Sequence, residues 1–180
     1  MSTVEPIRNK NDIRKIEKFL SLQDKRVLLI FLIGINCGLR ISDILGLNVS
    51  DVKDKSHIFI SEKKTKKSKK IPINDKLKPI IKIFTYNRNE DEALFLTVFK
   101  NRMDRTYVYK TLKKVSQHLE LKEKIGTHTL RKTFGYHHYK KNKDIAILQK
   151  IFNHSSSVVT LRYIGIEQEQ IDQSYMNFIL

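Results

Sequence analysis

Cysteine is nearly absent. A lone Cys37 in 180 residues excludes an internal disulfide framework and a cysteine-built zinc site, and it suits a reducing cytoplasm. Long apolar runs are missing too. The longest, Val27 to Ile33 followed by Gly34 and Ile35, falls far short of the roughly 18 residues needed to span a bilayer. The opening stretch MSTVEPIRNKNDIRKIEKFL lacks the apolar region of a secretory signal, so a protein free of the membrane is expected. No internal repeat is present, and the one biased tract is a lysine-loaded turn. Acidic residues are scarce: 19 Asp and Glu stand against 35 Lys and Arg, a formal charge of +16. Such a balance favours a polyanionic partner, because phosphate contacts dominate nucleic-acid affinity, although a lysine-rich proteome alone would also raise the charge. The length suits one domain, residues 1–180, around one core.

Apolar periodicity places a first helix on Ile13, Ile16, Phe19 and Leu20, with Asn11 or Asp12 as its cap. A second, about Asp24 to Asn36, is apolar nearly all round and therefore buried. Gly38 can end it in a left-handed conformation, and the next helix starts near Arg40, at the mouth of the core. A half-buried arginine there either binds an anion or pairs with Asp43 one turn on. Two short strands follow, Ser56 to Ser61 and Lys69 to Ile73, joined by the turn Glu62 to Ser68. Its lysines either meet a DNA backbone or are simply solvated. Helices are expected from Asp75 to Phe84 and after Asp104, which can cap a helix whose Tyr107, Leu112, Val115 and Leu119 point inward, then over Thr129–Lys140, Asp144–Phe152, Val158–Tyr163 and Glu167–Phe178. The last bears an apolar stripe, Ile171, Tyr175, Phe178 and Ile179, which packs on its own core or on a neighbouring protomer.

The chemistry concentrates between Gly126 and Gly165. Thr127 is a plausible N-cap there, and His128 and Arg131, three residues apart, share a helical face. A helix N-terminus presents free N–H groups, and the histidine and arginine add to its attraction for an anion such as phosphate. Metal ligation is disfavoured because the adjacent His137 and His138 point to different faces of a helix. A serine or cysteine hydrolase is disfavoured because Cys37 and Ser42 lack the G-x-S-x-G turn. Phosphoryl transfer at a phosphodiester needs cations for the non-bridging oxygens, proton-transfer groups and a nucleophile. Two arginines, two histidines, a lysine and a tyrosine supply these.

Taken together, Gly38-Leu39-Arg40-Ile41-Ser42-Asp43, His128-Thr129-Leu130-Arg131, Asn153-His154-Ser155-Ser156 and Arg162-Tyr163 resemble, in order, the boxes of the tyrosine recombinase, or phage integrase, family. The chain departs from the pattern at Asn153, where glycine is usual, and at Lys132, where many members have histidine. The resemblance implies an α+β, mainly helical catalytic-domain fold with a small antiparallel sheet of about three strands. It implies a site-specific recombinase or integrase of a phage or other mobile element, cutting and rejoining double-stranded DNA through a 3′-phosphotyrosyl intermediate without metal, ATP or cofactor. The carried-over catalytic set is Arg40, Lys64, His128, Arg131, His154 and Tyr163. Lys64 fits the family's K-T-x-x-S…I-P pattern best, with Lys63 and Lys66 as alternatives. Lys63, Lys66, Lys67 and Lys69 are expected to contact DNA. The family's separate N-terminal core-binding domain has no counterpart in this reading. A monomer in solution that forms a tetramer on DNA is expected. Two other outcomes fit the same boxes: a DNA-binding or regulatory remnant, and a relaxing enzyme of the type IB topoisomerase kind.

Overall fold

The computed structural model describes residues 4–61 and 68–179. Lys63, Lys64, Lys66 and Lys67 therefore lie outside the described residues. Helix α1 spans Lys10–Gln23 and is capped by Asn9, whose side chain accepts from the Asn11 N–H at 2.8 Å. The cap falls just before the expected Asn11 or Asp12, because Asn9 is the residue with extended backbone and a free carbonyl oxygen to offer. Asp24 ends α1 and caps α2, Lys25–Cys37, by accepting from the N–H groups of Arg26 and Val27. The buried run Leu29 to Gly34 makes α2 the centre of the larger core. Gly38 ends it at φ 64, and a Cβ there would sit 2.5 Å from Phe134 Cδ1. Only glycine fits both that backbone and that approach.

Arg40 then caps the single turn α3, Ile41–Ile44. Strands β1, His57–Ser61, and β2, Ser68–Pro72, pair antiparallel with His57 opposite Pro72 and Ser61 opposite Ser68. Among the described residues the sheet has two strands rather than about three. The stretch from Ala93 to Arg102 contributes only isolated bridges, Asn48 to Ala93 and Leu96 to Arg102. Its neighbouring carbonyls are taken instead by guanidinium groups: Arg88 donates to Ala93 and Leu94, and Arg102 to Leu45 and Leu47. The fold class, mainly helical with a small antiparallel sheet, is as expected.

Six further helices follow among the described residues: α4 Leu77–Thr85, α5 Arg105–His118, α6 Thr127–Asn142, α7 Ile145–Phe152, α8 Ser157–Tyr163 and α9 Ile166–Asn177. Asp104 caps α5 as expected, while Tyr107, read as inward, stands half open and hydrogen-bonds Asp24 through its hydroxyl at 2.8 Å. A second, smaller core of Tyr136, Leu148, Phe152, Ile164 and Ile166 joins α6 to the last three helices. The catalytic candidates of those helices are mounted on this small core. The apolar stripe does not cover the chain's own core: Ile171 and Tyr175 on α9 are 44% and 78% exposed, and Phe178 and Ile179, just past its end, 71% and 88%. No described helix is long and apolar enough to cross a membrane.

Candidate active site

The N-cap of helix α6 is Gly126, not Thr127, with the Gly126 N–H donating to Thr129 Oγ1 at 3.0 Å. Its first turn buries Thr129 and Leu130, brings His128 to the surface and turns Arg131 inward, where it is 3% exposed. Arg131 is locked there by three contacts. One Nη donates to the Gly38 carbonyl at 2.6 Å, the other to the Phe152 carbonyl at 2.9 Å, and the guanidinium lies 4.3 Å from the centre of the Phe152 ring. Two helix ends, those of α2 and α7, thus offer orphan carbonyls to one arginine. Arg40 approaches from the other side. Its Nη1 lies 4.0 Å from the buried Asp43 carboxylate, the partner one turn on, and its charge also acts on His128, His154 and Tyr163.

His154 follows Asn153, which takes the left-handed conformation at φ 54 and ends α7. Asparagine tolerates that conformation better than most side chains, which is how the turn survives without the usual glycine. The His154 Nδ1 is 3.1 Å from Thr160 Oγ1, and that hydroxyl is 3.0 Å from the Ser156 carbonyl. Burial, then Arg131, Arg40 and Lys69, push the His154 pKa down to about 4. At neutral pH the imidazole carries one proton. With the Thr160 hydroxyl donating to the Ser156 carbonyl, its oxygen is left to accept from Nδ1, which places that proton on Nδ1 and fixes the ring. His128 is held below its ordinary pKa by partial burial and by Arg105, Lys132, Arg131 and Arg40.

The end of α8 carries Tyr163, whose ring stands edge-on to Phe152 at 5.5 Å and to His154 at 5.1 Å. Burial raises the Tyr163 pKa, while the charges of Arg131 and Arg40 and a hydrogen bond from Arg131 oppose it. The same two arginines act on His128, His154 and Tyr163, so Arg40, His128, Arg131, His154 and Tyr163 share one locus. Lys64 lies outside the described residues. Lys69, expected on the DNA face, is half-buried and turned toward α7, its ammonium donating to the Ile151 carbonyl. Its charge also reaches His154. Cys37 is buried, its thiol pushed up to about 12, which leaves it inert as a nucleophile. Among the described residues no three His, Cys, Asp or Glu side chains group in a way that could hold a metal ion.

Sequence reasoning had passed over Thr160. Its signal was slight: one hydroxyl in the otherwise apolar run Val158-Val159-Thr160-Leu161, fully buried in the fold. Replacing it with valine is expected to slow single-turnover DNA cleavage about tenfold, the effect of losing one oriented hydrogen bond at a proton-bearing group. A stopped time course on a nicked DNA substrate reads this directly; an unchanged rate would leave Thr160 a packing residue.

A recombinase-like fold with this arrangement matches known proteins. Residues 8–170 match the model of the phage integrase family, and the chain belongs to that family. It is 45% identical over 179 residues to "Probable integrase/recombinase YoeC" of Bacillus subtilis (strain 168), covering 99% of this chain and 98% of that one. The crystal structure of XerA recombinase superposes with a TM-score of 0.76 at 18% identity, over 97% of this chain and 66% of that one. A structure of XerH site-specific recombinase bound to palindromic difH substrate, a post-cleavage complex, gives 0.72 at 19% identity, over 98% and 54%. The chain thus spans nearly all of the YoeC protein but about half to two thirds of these XerA and XerH structures. Other curated tyrosine recombinases are matched over 55% and 64% of their length.

Proposed function

We propose that this protein cuts and rejoins double-stranded DNA at specific sites through a phosphotyrosyl intermediate, as the integrase or resolvase of a phage or other mobile element. The observation that carries the reading is the convergence of Arg40, Arg131, His154 and Tyr163 on one locus, with Arg131 immobilised by two carbonyls and a ring. The Tyr163 oxygen attacks the scissile phosphorus, the bond to the 5′-oxygen breaks, and a 3′-phosphotyrosyl bond forms. The phenolic proton passes to His128, whose depressed pKa keeps it neutral and able to accept. Lys64 supplies a proton to the departing 5′-oxygen. Arg40 and Arg131 hold the non-bridging oxygens as guanidinium forks, and His154, gaining a proton on Nε2 as the bound phosphate raises its pKa, hydrogen-bonds the same phosphate. The phosphotyrosyl bond keeps the energy of the bond it replaces, so attack by a second 5′-hydroxyl reverses the step without ATP, metal or cofactor.

Residues 1–180 act in this reading as one catalytic domain in the cytoplasm, monomeric when free and tetrameric on DNA. The +16 charge opposes association until phosphates neutralise it, and Lys63, Lys66, Lys67 and Lys69 add to DNA affinity. The exposed α9 stripe suits docking on a neighbouring copy. Removing residues 170–180 is expected to spare DNA binding and to reduce higher assembly on a DNA site, measured by sedimentation. Equal assembly by the shortened chain would leave the tail without a partner role. Three assays test the function itself: gel-shift binding, plasmid relaxation, and product formation between two sites. Recombinant product is the expected result. Relaxation alone would mark a topoisomerase-like enzyme, and binding alone a remnant.

A further inference from the structure

This inference rests on the strand-cleavage reading and concerns how its nucleophile is held. Residues 4–8 lie as a strap beside the site, touching both of its ends. Val4 Cγ1 is 3.1 Å from where a Cβ on Gly126 would stand, and Gly126 opens the helix two residues before His128. At the other end, Arg8 Nη2, Glu5 Oε2 and Pro6 Cδ lie 2.9, 3.4 and 3.6 Å from where a Cβ on Gly165 would stand. Gly165 is the left-handed turn, φ 74, two residues after Tyr163. Glycine at both places leaves room for the strap to seat.

Between these ends the strap is bound by its backbone. Ile7 is fully buried, its N–H donates to Thr133 Oγ1 at 2.9 Å, and its carbonyl accepts from His137 Nε2 at 2.9 Å. The Glu5 N–H donates to the Lys124 carbonyl at 3.2 Å. One side chain then joins the strap to the nucleophile. Lys132 donates to the Val4 carbonyl at 2.8 Å, and the same ammonium lies 5.4 Å from the centre of the Tyr163 ring.

We propose that Lys132 is a positioning residue for Tyr163: tethered by the Val4 carbonyl, its ammonium holds the ring against Phe152 and His154, and the strap holds Lys132. The tether matters because a free lysine has four rotatable bonds and would sample water, whereas a half-buried, anchored ammonium is fixed against the ring face. A cation over a tyrosine ring is attracted by the ring's quadrupole, more strongly when partly desolvated. Burial lowers the Lys132 pKa, and Glu5 in the strap counteracts this and so favours the charged form.

The test is the single-turnover rate of covalent adduct formation at saturating suicide DNA substrate, with the dissociation constant and melting temperature measured alongside. Lys132→Met keeps the chain length of the residue and removes the charge; about a tenfold slower rate is expected, with affinity changed no more than about twofold. Lys132→Arg keeps a cation and a donor, and should retain at least about a third of the wild-type rate. Deleting residues 2–5 leaves Lys132 in place but removes its anchor. That variant should slow to a similar degree, and adding Lys132→Met to it should slow it little further. The deletion also serves if the methionine variant folds poorly. A wild-type rate in either the methionine variant or the deletion overturns the proposal while leaving strand cleavage intact, whereas absence of any adduct from the wild-type chain defeats both.

Discussion

Tyr163→Phe is expected to abolish the covalent protein–DNA adduct, lowering its rate of formation by at least about 10⁴-fold, because the attacking oxygen is gone and no neighbouring group replaces it. Binding should persist. The ring itself, edge-on to Phe152 and His154 with the Lys132 ammonium nearby, is unchanged in the phenylalanine variant, so its packing contacts remain. The hydroxyl's loss should cost little stability, since burial already disfavours its ionised form and Arg131 keeps its two carbonyl partners. Gel-shift affinity and melting temperature close to wild type, together with no adduct on a suicide substrate, would separate the chemical role from a structural one. An adduct that survives the substitution would assign the nucleophile elsewhere.

The second large effect belongs to Arg131. Lysine at this position keeps the charge but cannot span the Gly38 carbonyl, the Phe152 carbonyl and a phosphate oxygen from one plane. Cleavage should fall about 10²- to 10³-fold, the range for losing an oriented donor to a developing negative charge. Alanine should do this and also destabilise the fold. It strands two buried carbonyls at roughly 1–3 kcal/mol each. For a domain of this size that corresponds to a melting temperature lower by roughly 5–15 °C. Differential scanning calorimetry of the two variants would show whether the lysine chain recovers the stability without the activity. A lysine variant that cleaves like wild type would remove the guanidinium fork from the account.

Much of this site was legible in the sequence because its residues sit in short boxes with fixed local geometry. Gly38 before Arg40 reads as a left-handed helix end, and the structure places φ 64 there. Asp104 reads as a cap, and the apolar run after Asp24 reads as a buried helix. The spacing of His128 and Arg131 reads as one shared helical face, whereas His128 reaches the surface and Arg131 is buried; that difference follows from carbonyls at Gly38 and Phe152, which are remote in sequence. Long-range partners of this kind leave no local mark. Among the described residues the sheet stops at the two strands read from the sequence, and the third that the family resemblance implied is represented only by isolated bridges. Asn153 illustrates the opposite case: a departure from the family's glycine that the backbone absorbs without losing the left-handed turn before His154. Lys132 looked like a neutral departure in sequence, and only the fold brings the Val4 carbonyl and the Tyr163 ring to it.

The pH dependence follows from the two histidines. The folded His154 pKa of about 4 lies below the ordinary value of 6.5, so the unfolded chain binds more protons between those limits. Stability therefore declines as pH falls from about 6.5 toward 4 and is fully present above that window. His128, shifted in the same direction, adds to the effect. The positive charges that depress both would be offset by a bound phosphodiester, so DNA should move both values upward.

The most direct measurement is identification of the attached residue itself. The wild-type chain is incubated with a suicide DNA substrate, the covalent complex is digested with protease and nuclease, and the modified peptide is sequenced by tandem mass spectrometry. The account predicts one site of attachment, the Tyr163 oxygen, joined to the 3′-phosphate of the cut strand, with the other strand end released as a 5′-hydroxyl. Attachment at Tyr175, Tyr139 or any other side chain, or linkage through a 5′-phosphate, would contradict it.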